Sequence, residues 1–300
     1  MTIIETMLQK TKAQRLAAQP ATQGASPIPL GHPSAIPLAH GPMPLAHAVP
    51  EPSVEPLHPY HLGIDQEAAR QNRLLISGVP EDRGAMAAYG MLRTRLLQRT
   101  RAHNWSVIGV TSPAPRDGKS LTVVNLALSM ARENTSTVVL LDCDLCNPSV
   151  CHLLGIAPPV ELHEYFLDDA RDPSELFVTI GVDRLILAGN TLPVDDSAEL
   201  LASPRTKELL DFIRRRVPNP FILIDLPPLL SPADALVVAP RVDALLLVAS
   251  EGSTPRTELN KALAIAAGFP IAGLVLNCST EKRGKYTYDY GYRAKSLPRG

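Results

Sequence analysis

Residues 106–120 read SVIGVTSPAPRDGKS, and a helical pattern follows from Leu121 to Arg132. An apolar strand, a loop ending in Gly-Lys-Ser and a helix, in this order, are the context that a phosphate-binding loop requires. Backbone N–H groups at the start of such a helix bind phosphate oxygens, Lys119 would reach the β- and γ-phosphates, and the Ser120 hydroxyl would ligate Mg²⁺. Because the strict pattern has glycine where Pro113 stands, the sequence predicts a variant of this loop.

Carboxylates follow two other strand-like runs. Residues 137–142 read TVVLLD and lead to Asp144, and residues 221–225 read FILID. In an open parallel sheet, ligands bind at the carboxyl ends of the strands, so Asp142, Asp144 and Asp225 should face the nucleotide phosphates. One or two of them would hold Mg²⁺ and one would accept a proton. The alternative, a carboxylate that caps the helix after its strand, stays open for any one of them.

Short apolar runs alternate with helix-length segments from Trp105 onwards, which indicates a parallel α/β sheet. The predicted strands are 106–111, 137–142, 184–189, 221–225, 244–249 and 271–277. The predicted helices are 85–101, 121–132, 197–216 and 256–267. The expected fold class is therefore α/β, a P-loop NTPase with a mostly parallel sheet flanked by helices on both faces.

The 300 residues divide into four predicted segments. Residues 1–17 form a short amphipathic helix, and residues 18–63, rich in proline, alanine and histidine, form a disordered linker. Residues 64–281 form the P-loop domain, and residues 282–300 form a tail. The linker histidines are widely and irregularly spaced, which favours solvated residues over a metal site.

The tail carries four tyrosines that alternate with other residues, Tyr286, Tyr288, Tyr290 and Tyr292. One interpretation is an edge strand, because a period of two puts all four rings on one face. The other is a functional role, because a basic terminal segment does not need phenol groups for core packing. Under the second interpretation the tail is a candidate substrate.

Composition argues against several classes of protein. A formal net charge of −1 and the lack of a long Lys/Arg block disfavour nucleic acid as a partner. No run of eighteen apolar residues and no signal peptide is visible, so a cytoplasmic location is expected. Three cysteines cluster at Cys143, Cys146 and Cys151. Cys143 lies in an apolar, strand-like run, where a buried thiol is more typical of core packing than of a metal site, and a disulfide is not expected.

Together these motifs resemble the bacterial tyrosine kinases of the exopolysaccharide and capsule synthesis family, whose P-loop is similar to those of the MinD and ParA ATPases. The family loop reads approximately Thr-Ser-x-x-Pro-Gly-Glu-Gly-Lys-Ser, and residues 111–120 read TSPAPRDGKS. Its second and third motifs resemble LDCDLCNP at 141–148 and IDLPPLLSPADA at 224–235. The likeness extends from about Met86 to Asn277 and is followed by the tyrosine-rich tail.

The resemblance implies a set of site residues. ATP would be bound by Pro115, Arg116, Asp117, Gly118, Lys119, Ser120, Leu121 and Asn277. Mg²⁺ would be held by Ser120, Asp142, Asp144 and Asp225. Lys119 would act on the phosphates, and Asp142 would take the proton of the attacking phenol, with Asp144 as the fallback.

The resemblance also implies activity and partners. The chain would be an ATP-dependent protein tyrosine kinase whose tail tyrosines are phosphorylated in trans by a neighbouring subunit, which requires a homo-oligomer. It would regulate exopolysaccharide chain length or export with a membrane chain-length (co-polymerase) protein on a separate chain and a cognate tyrosine phosphatase. Its expected location is cytoplasmic and peripheral, at the inner face of the membrane through that partner.

The chain departs from the family pattern at several positions. Arg116 replaces a loop glycine, Cys146 replaces an arginine, and Ala87 and Gly90 replace a glutamate and an arginine in the preceding helix. Two alternatives therefore stay open. One is a MinD- or ParA-like ATPase, although the second loop lysine of MinD-like proteins would fall on Ala114. The other is a non-catalytic, nucleotide-gated scaffold of the polysaccharide machinery.

Overall fold

The computed structural model describes residues 57–76, 83–133, 135–231 and 234–279. The predicted N-terminal helix, the linker as far as residue 56 and the tail with its four tyrosines lie outside the described residues. The fold therefore concerns the predicted P-loop domain and a few residues before it.

One sheet runs through the centre of the described domain. Its strands are β1 Tyr60–His61, β2 Val107–Thr111, β3 Thr137–Asp142, β4 Val178–Thr179, β5 Leu185–Ala188, β6 Pro220–Asp225, β7 Ala244–Ser250 and β8 Ile271–Asn277. They lie side by side in the order β1-β4-β5-β3-β6-β2-β7-β8. All neighbouring strands are parallel except β4 and β5, which are antiparallel. The predicted fold class, a mostly parallel α/β sheet, is confirmed.

Helices cover both faces of this sheet. They are α1 Gln66–Gln71, α2 Arg83–His103, α3 Lys119–Ala131, α4 Val150–Leu154, α5 Leu162–Leu167, α6 Ser197–Ala202, α7 Pro204–Arg216, α8 Asp234–Val238 and α9 Arg256–Ile265. Buried residues of α1 to α4 belong to one apolar cluster and those of α5 to α9 to a second, with the sheet between them. None of the described helices is long and apolar enough to cross a membrane.

The six strands predicted from the sequence are all present, with bounds that differ by one residue at most at either end. The strands β1 and β4 have two residues each, which is too short to produce a recognisable alternating pattern. Tyr60 and His61 pair with Val178 and Thr179, so the disordered linker predicted up to residue 63 extends too far. Residues 60 and 61 belong to the sheet because backbone pairing with β4 satisfies their polar groups.

The helix predicted over 197–216 is two helices, which meet at Ser203 and Pro204. Proline has no N–H and fixes φ near −65°, so it suits the first turn of a helix and interrupts one that is already formed. Pro204 accordingly begins α7, and α6 ends before it.

The register of the sheet brings the predicted site together. Asp142 and Asp225 end the neighbouring strands β3 and β6 and lie directly opposite each other. The strand β2 pairs with β6 and leads to the loop before α3. The phosphate-binding loop and the carboxylates therefore share the carboxyl edge of the sheet, where ligands of open α/β sheets bind.

Candidate active site

The loop before α3 has two residues with positive φ. Gly118 has φ 85° and Arg116 has φ 68°. A Cβ atom on Gly118 would lie 2.1 Å from Nδ2 of Asn277 and would displace this amide, and the positive φ favours glycine independently of the space. Arg116 keeps the left-handed conformation that glycine adopts freely, at a cost on the order of 1 kcal/mol. Arg116 therefore replaces the family glycine while the backbone stays in the left-handed conformation.

Asp117 shapes this loop from inside. Its side chain is buried and accepts hydrogen bonds from the Ala114 N–H at 3.0 Å and from the Thr254 hydroxyl at 2.6 Å. Asp117 was expected among the nucleotide-binding residues, but both carboxylate oxygens are directed at the protein. Its side chain therefore holds the loop rather than a ligand.

Lys119 is the centre of a buried charge cluster. Its Nζ lies 2.6 Å from Oδ2 of Asp144, 3.3 Å from Oδ1 of Asp225 and 3.0 Å from Oγ of Ser120. Burial by itself would lower the pKa of Lys119, but the attraction of Asp225 and Asp144 outweighs it and raises the pKa above its ordinary value. The lysine is therefore charged, and its single positive charge offsets part of the negative charge of the two carboxylates on either side of it.

Asp142 is fully buried, and its carboxylate accepts hydrogen bonds from the backbone. Its Oδ2 accepts the N–H groups of Ser149 and Val150, both at 2.9 Å, and its Oδ1 accepts the N–H of Asp144 at 3.2 Å. Burial, with the nearby charge of Asp225, raises the pKa of Asp142 to about 7, although these N–H groups and Lys119 act in the opposite direction. The carboxylate caps the start of α4, which is the alternative that the sequence left open.

Asp225 and Asp144 are both buried, but only one of them lines a cavity. Asp225 is fully buried, and this burial raises its pKa more than the neighbouring Lys119 lowers it. Asp144, in contrast, lines a cavity of about 830 Å³. Asp144 is thus the carboxylate of the three that can meet a ligand in this cavity directly.

The cavity contains most of the predicted nucleotide site. Pockets that bind small molecules commonly measure about 300–1,000 Å³, so a volume of about 830 Å³ is sufficient for a nucleotide. The predicted residues in its lining are Pro115, Arg116, Gly118, Lys119, Ser120, Leu121 and Asp144. Predicted site residues that do not line it are Asp117, Asp142, Asp225 and Asn277.

Sequence reasoning missed other residues that line this cavity. They include Cys146, Asn147, Ser149, Asp196, Ser197, Glu199, Pro227, Pro228 and Ser231. Pro227 and Pro228 directly follow the Asp225 motif, and Cys146 and Asn147 follow Asp144, so proximity in the chain was the available signal. Asp196 and Glu199 gave no such signal, because only the fold brings α6 to this edge.

Asn277 contacts the loop rather than the cavity. Its Nδ2 donates a hydrogen bond to the Asp117 carbonyl at 3.2 Å. This contact joins the end of β8 to the phosphate-binding loop and explains why Gly118 has no room for a side chain. A direct contact of Asn277 with a nucleobase stays a prediction.

The residues present suit Mg²⁺ only together with a ligand that supplies oxygens. Among the described residues, no three Asp, Glu, His or Cys side chains could hold a metal ion by themselves. Ser120 and Asp144 both line the cavity and offer a hydroxyl and a carboxylate oxygen. This donor set fits Mg²⁺, which is usually held by one or two protein groups, waters and substrate phosphates.

A protein-family comparison matches the region that contains this site. The family model described as ParA: NUBPL iron-transfer P-loop NTPase matches residues 105–288, more than half of the chain.

Curated relatives include proteins named as tyrosine kinases. The tyrosine-protein kinase YwqD of Bacillus subtilis (strain 168) is 28% identical over 206 residues, which cover 68% of this chain and 84% of YwqD. The succinoglycan biosynthesis transport protein ExoP of Rhizobium meliloti (strain 1021) is 29% identical over 186 residues, 60% of this chain and 23% of ExoP. The chain spans between 23% and 32% of the length of ExoP and two further long relatives.

A solved structure shares the fold. The kinase domain of the Escherichia coli tyrosine kinase ETK superposes with a TM-score of 0.62 at 23% identity, covering 78% of this chain and 94% of that domain. At this identity the likeness concerns the architecture, which agrees with the sheet and loop described above.

Proposed function

We propose that this chain, which belongs to the ParA family of P-loop NTPases, is an ATP- and Mg²⁺-dependent protein tyrosine kinase that phosphorylates its own tail. Its curated relatives bear out the resemblance to bacterial tyrosine kinases. One observation carries this proposal. The phosphate-binding loop and the buried ion pair of Lys119 and Asp144 converge on one cavity large enough for a nucleotide and an incoming side chain.

The start of α3 is the phosphate-binding end of this cavity. Gly118 caps α3 without any side-chain hydrogen bond, so the first N–H groups of the helix stay available for an anion. Lys119 would add a full positive charge next to the β- and γ-phosphates. To reach them, its ammonium group must leave Asp144, and ATP binding would therefore release that carboxylate.

The released Asp144 would then do two things. With Ser120 it would hold Mg²⁺, which would supply positive charge for the phosphate oxygens. It would also face the phenol of an incoming tyrosine, whose ordinary pKa of about 10 makes it a poor nucleophile at neutral pH. Sharing one carboxylate between the ion and the proton is feasible because it has two oxygens.

In the transfer step, the phenol oxygen bonds to the γ-phosphorus while the bond from that phosphorus to the β-phosphate oxygen breaks. ADP leaves, and the phenol proton passes to a carboxylate. The sequence favoured Asp142 as this base. The geometry supports Asp144 instead. The oxygens of Asp142 accept hydrogen bonds from three backbone N–H groups, and Asp142 does not line the cavity.

The acceptors in this proposal are Tyr286, Tyr288, Tyr290 and Tyr292, modified in trans within a homo-oligomer. The polysaccharide role rests on the relative ExoP, whose name places it in succinoglycan biosynthesis and transport. The partners in this role would be a membrane chain-length protein on a separate chain, which holds the kinase at the inner face of the membrane, and a cognate tyrosine phosphatase.

Incubation of the purified chain with Mg²⁺-ATP, with and without the cytosolic part of the membrane partner, tests the proposal. Mass spectrometry should find phosphotyrosine within 286–292 in the wild type and none in Lys119→Met. ATP hydrolysis without phosphotyrosine under either condition would contradict it and favour a MinD- or ParA-like ATPase. Nucleotide binding with neither activity would indicate a scaffold.

A further inference from the structure

A second groove, of about 470 Å³, lies between helix α2 and the edge strand β8. Its apolar lining includes Met91 and Leu92 from α2 and Leu274 and Leu276 from β8. We call it the α2–β8 groove. Apart from Asn277 at its end, whose contact with a nucleobase stays a prediction, none of its lining residues has a role in the proposed transfer of phosphate.

The groove leaves large apolar side chains open to solvent. Met91 is 55% exposed, Leu276 58% and Leu274 36%. Among the described residues, β8 pairs only with β7, so its other backbone edge is also available. An exposed apolar patch beside a free strand edge is a typical place for a peptide to bind.

Two arginines give the groove a specific charge. Arg95 and Arg99 line it, both are exposed, and their spacing of four residues places them on one face of α2. None of the ion pairs among the described residues involves either of them. Guanidinium groups bind phosphate through paired hydrogen bonds. The groove therefore suits a ligand that is both aromatic and phosphorylated.

We propose that the α2–β8 groove is a phosphotyrosine-binding site for the phosphorylated tail of the chain itself. This inference rests on the proposed function, which supplies the modified tyrosines. Before modification the tail is basic, with Lys282, Arg283, Lys285, Arg293, Lys295 and Arg299, and the two arginines of the groove repel it. Each phosphate adds a charge of about −1.5 to −2, so phosphorylation gives the tyrosine segment an anionic group that the two arginines can bind.

The length of the tail and its pattern agree with this site. Tyr286 follows the end of β8 at Asn277 by nine residues, which can span about 30 Å when extended. The strand β8 is seven residues long and spans about 23 Å, so the tail can turn back along it and reach Arg95 and Arg99. A tail that runs as a strand beside β8 would place alternate side chains on one face. The alternating tyrosines are therefore suited to one groove.

Peptide binding to the full-length Lys119→Met chain, which keeps its own tail unmodified, tests this site by calorimetry. The probe is a synthetic peptide of residues 284–294 with phosphotyrosine at position 288. It should bind at least about tenfold more tightly than the same peptide without phosphate. The double change Arg95→Gln and Arg99→Gln should remove this preference. Arg101→Gln, an exposed arginine of the same helix outside the groove, should leave it unchanged.

Two results would overturn the site: equal affinity for both peptides, or a phosphate preference that survives the double change. The peptide is synthetic, so a chain without kinase activity could still show this binding. The peptide-binding assay therefore tests the groove, and the phosphorylation assay tests the proposed kinase separately.

Discussion

Asp142 and Asp144 stand two positions apart but face different surroundings. Asp142 is the last residue of β3, so its side chain is fixed between the sheet and the start of α4. Asp144 lies beyond the strand and lines the cavity next to Lys119. A motif of two aspartates therefore contains one carboxylate that stabilises the local backbone and one that lines the cavity in an ion pair with Lys119.

This difference predicts unequal effects of two matched changes. Asp144→Asn should lower the rate of phosphotyrosine formation by about 100-fold or more, the usual contribution of a general base. Asp142→Asn should cause a smaller loss, through a shift of the backbone around α4. Initial rates of tail phosphorylation, measured on variants with native circular dichroism spectra, decide the matter. The reverse order of effects would restore Asp142 as the base.

Burial of Asp142 also predicts how stability depends on pH. Its pKa rises from an ordinary value of 3.8 to about 7 in the folded chain, so the folded state binds the proton more tightly than the unfolded state does. The contribution of this group is therefore present in full below about pH 4 and is lost as the pH rises towards and through 7. Asp225 shifts in the same direction.

In the nucleotide-free protein, the urea midpoint of unfolding should accordingly be higher at pH 5.5 than at pH 8. Asp142→Asn should reduce this difference, because asparagine does not titrate. A midpoint that rises with pH in the wild type, or a difference that Asp142→Asn leaves intact, would contradict the assignment.

At the scale of elements, helix α2 contains a glycine that the fold does not need. Gly90 has no positive φ, and a Cβ atom there would meet nothing within 4 Å. Gly90→Ala should therefore stabilise the chain by about 0.5–1 kcal/mol, the usual cost of glycine inside a helix. The free energy of unfolding in urea measures this.

Gly118→Ala is the matched contrast, because its Cβ atom would collide with Asn277 and its φ is 85°. It should destabilise the chain and weaken nucleotide binding. Equal effects of the two alanines would contradict the account of the loop.

The elements also show what could be predicted from the sequence. The long buried strands, such as β3 and β7, were recognised because continuous apolar runs leave a clear pattern. The hydrogen bond from Asn277 to Asp117 was not, because it joins residues 160 positions apart. Similarly, the inward direction of the Asp142 oxygens depends on where α4 begins after the strand. A local sequence pattern could not predict contacts that depend on how elements distant in the chain pack together.

At the scale of the whole molecule, the catalytic cavity and the α2–β8 groove suggest how one tail could bind at two places in turn. The unmodified tail would enter the cavity of a neighbouring subunit as a substrate. The phosphorylated tail would bind to the α2–β8 groove, whose arginines attract the added charge. In this account, phosphorylation changes which surface binds the tail.

Transfer between subunits is the central claim, and a mixing experiment tests it most directly. Full-length Lys119→Met chain, labelled with ¹⁵N so that its peptides can be distinguished, is incubated with unlabelled wild type and Mg²⁺-ATP. The account predicts phosphotyrosine within 286–292 on the ¹⁵N-labelled chain in the mixture and none when that chain is incubated alone. Phosphate confined to the unlabelled wild-type tail would contradict transfer in trans, and the absence of phosphotyrosine from both chains would contradict the kinase itself.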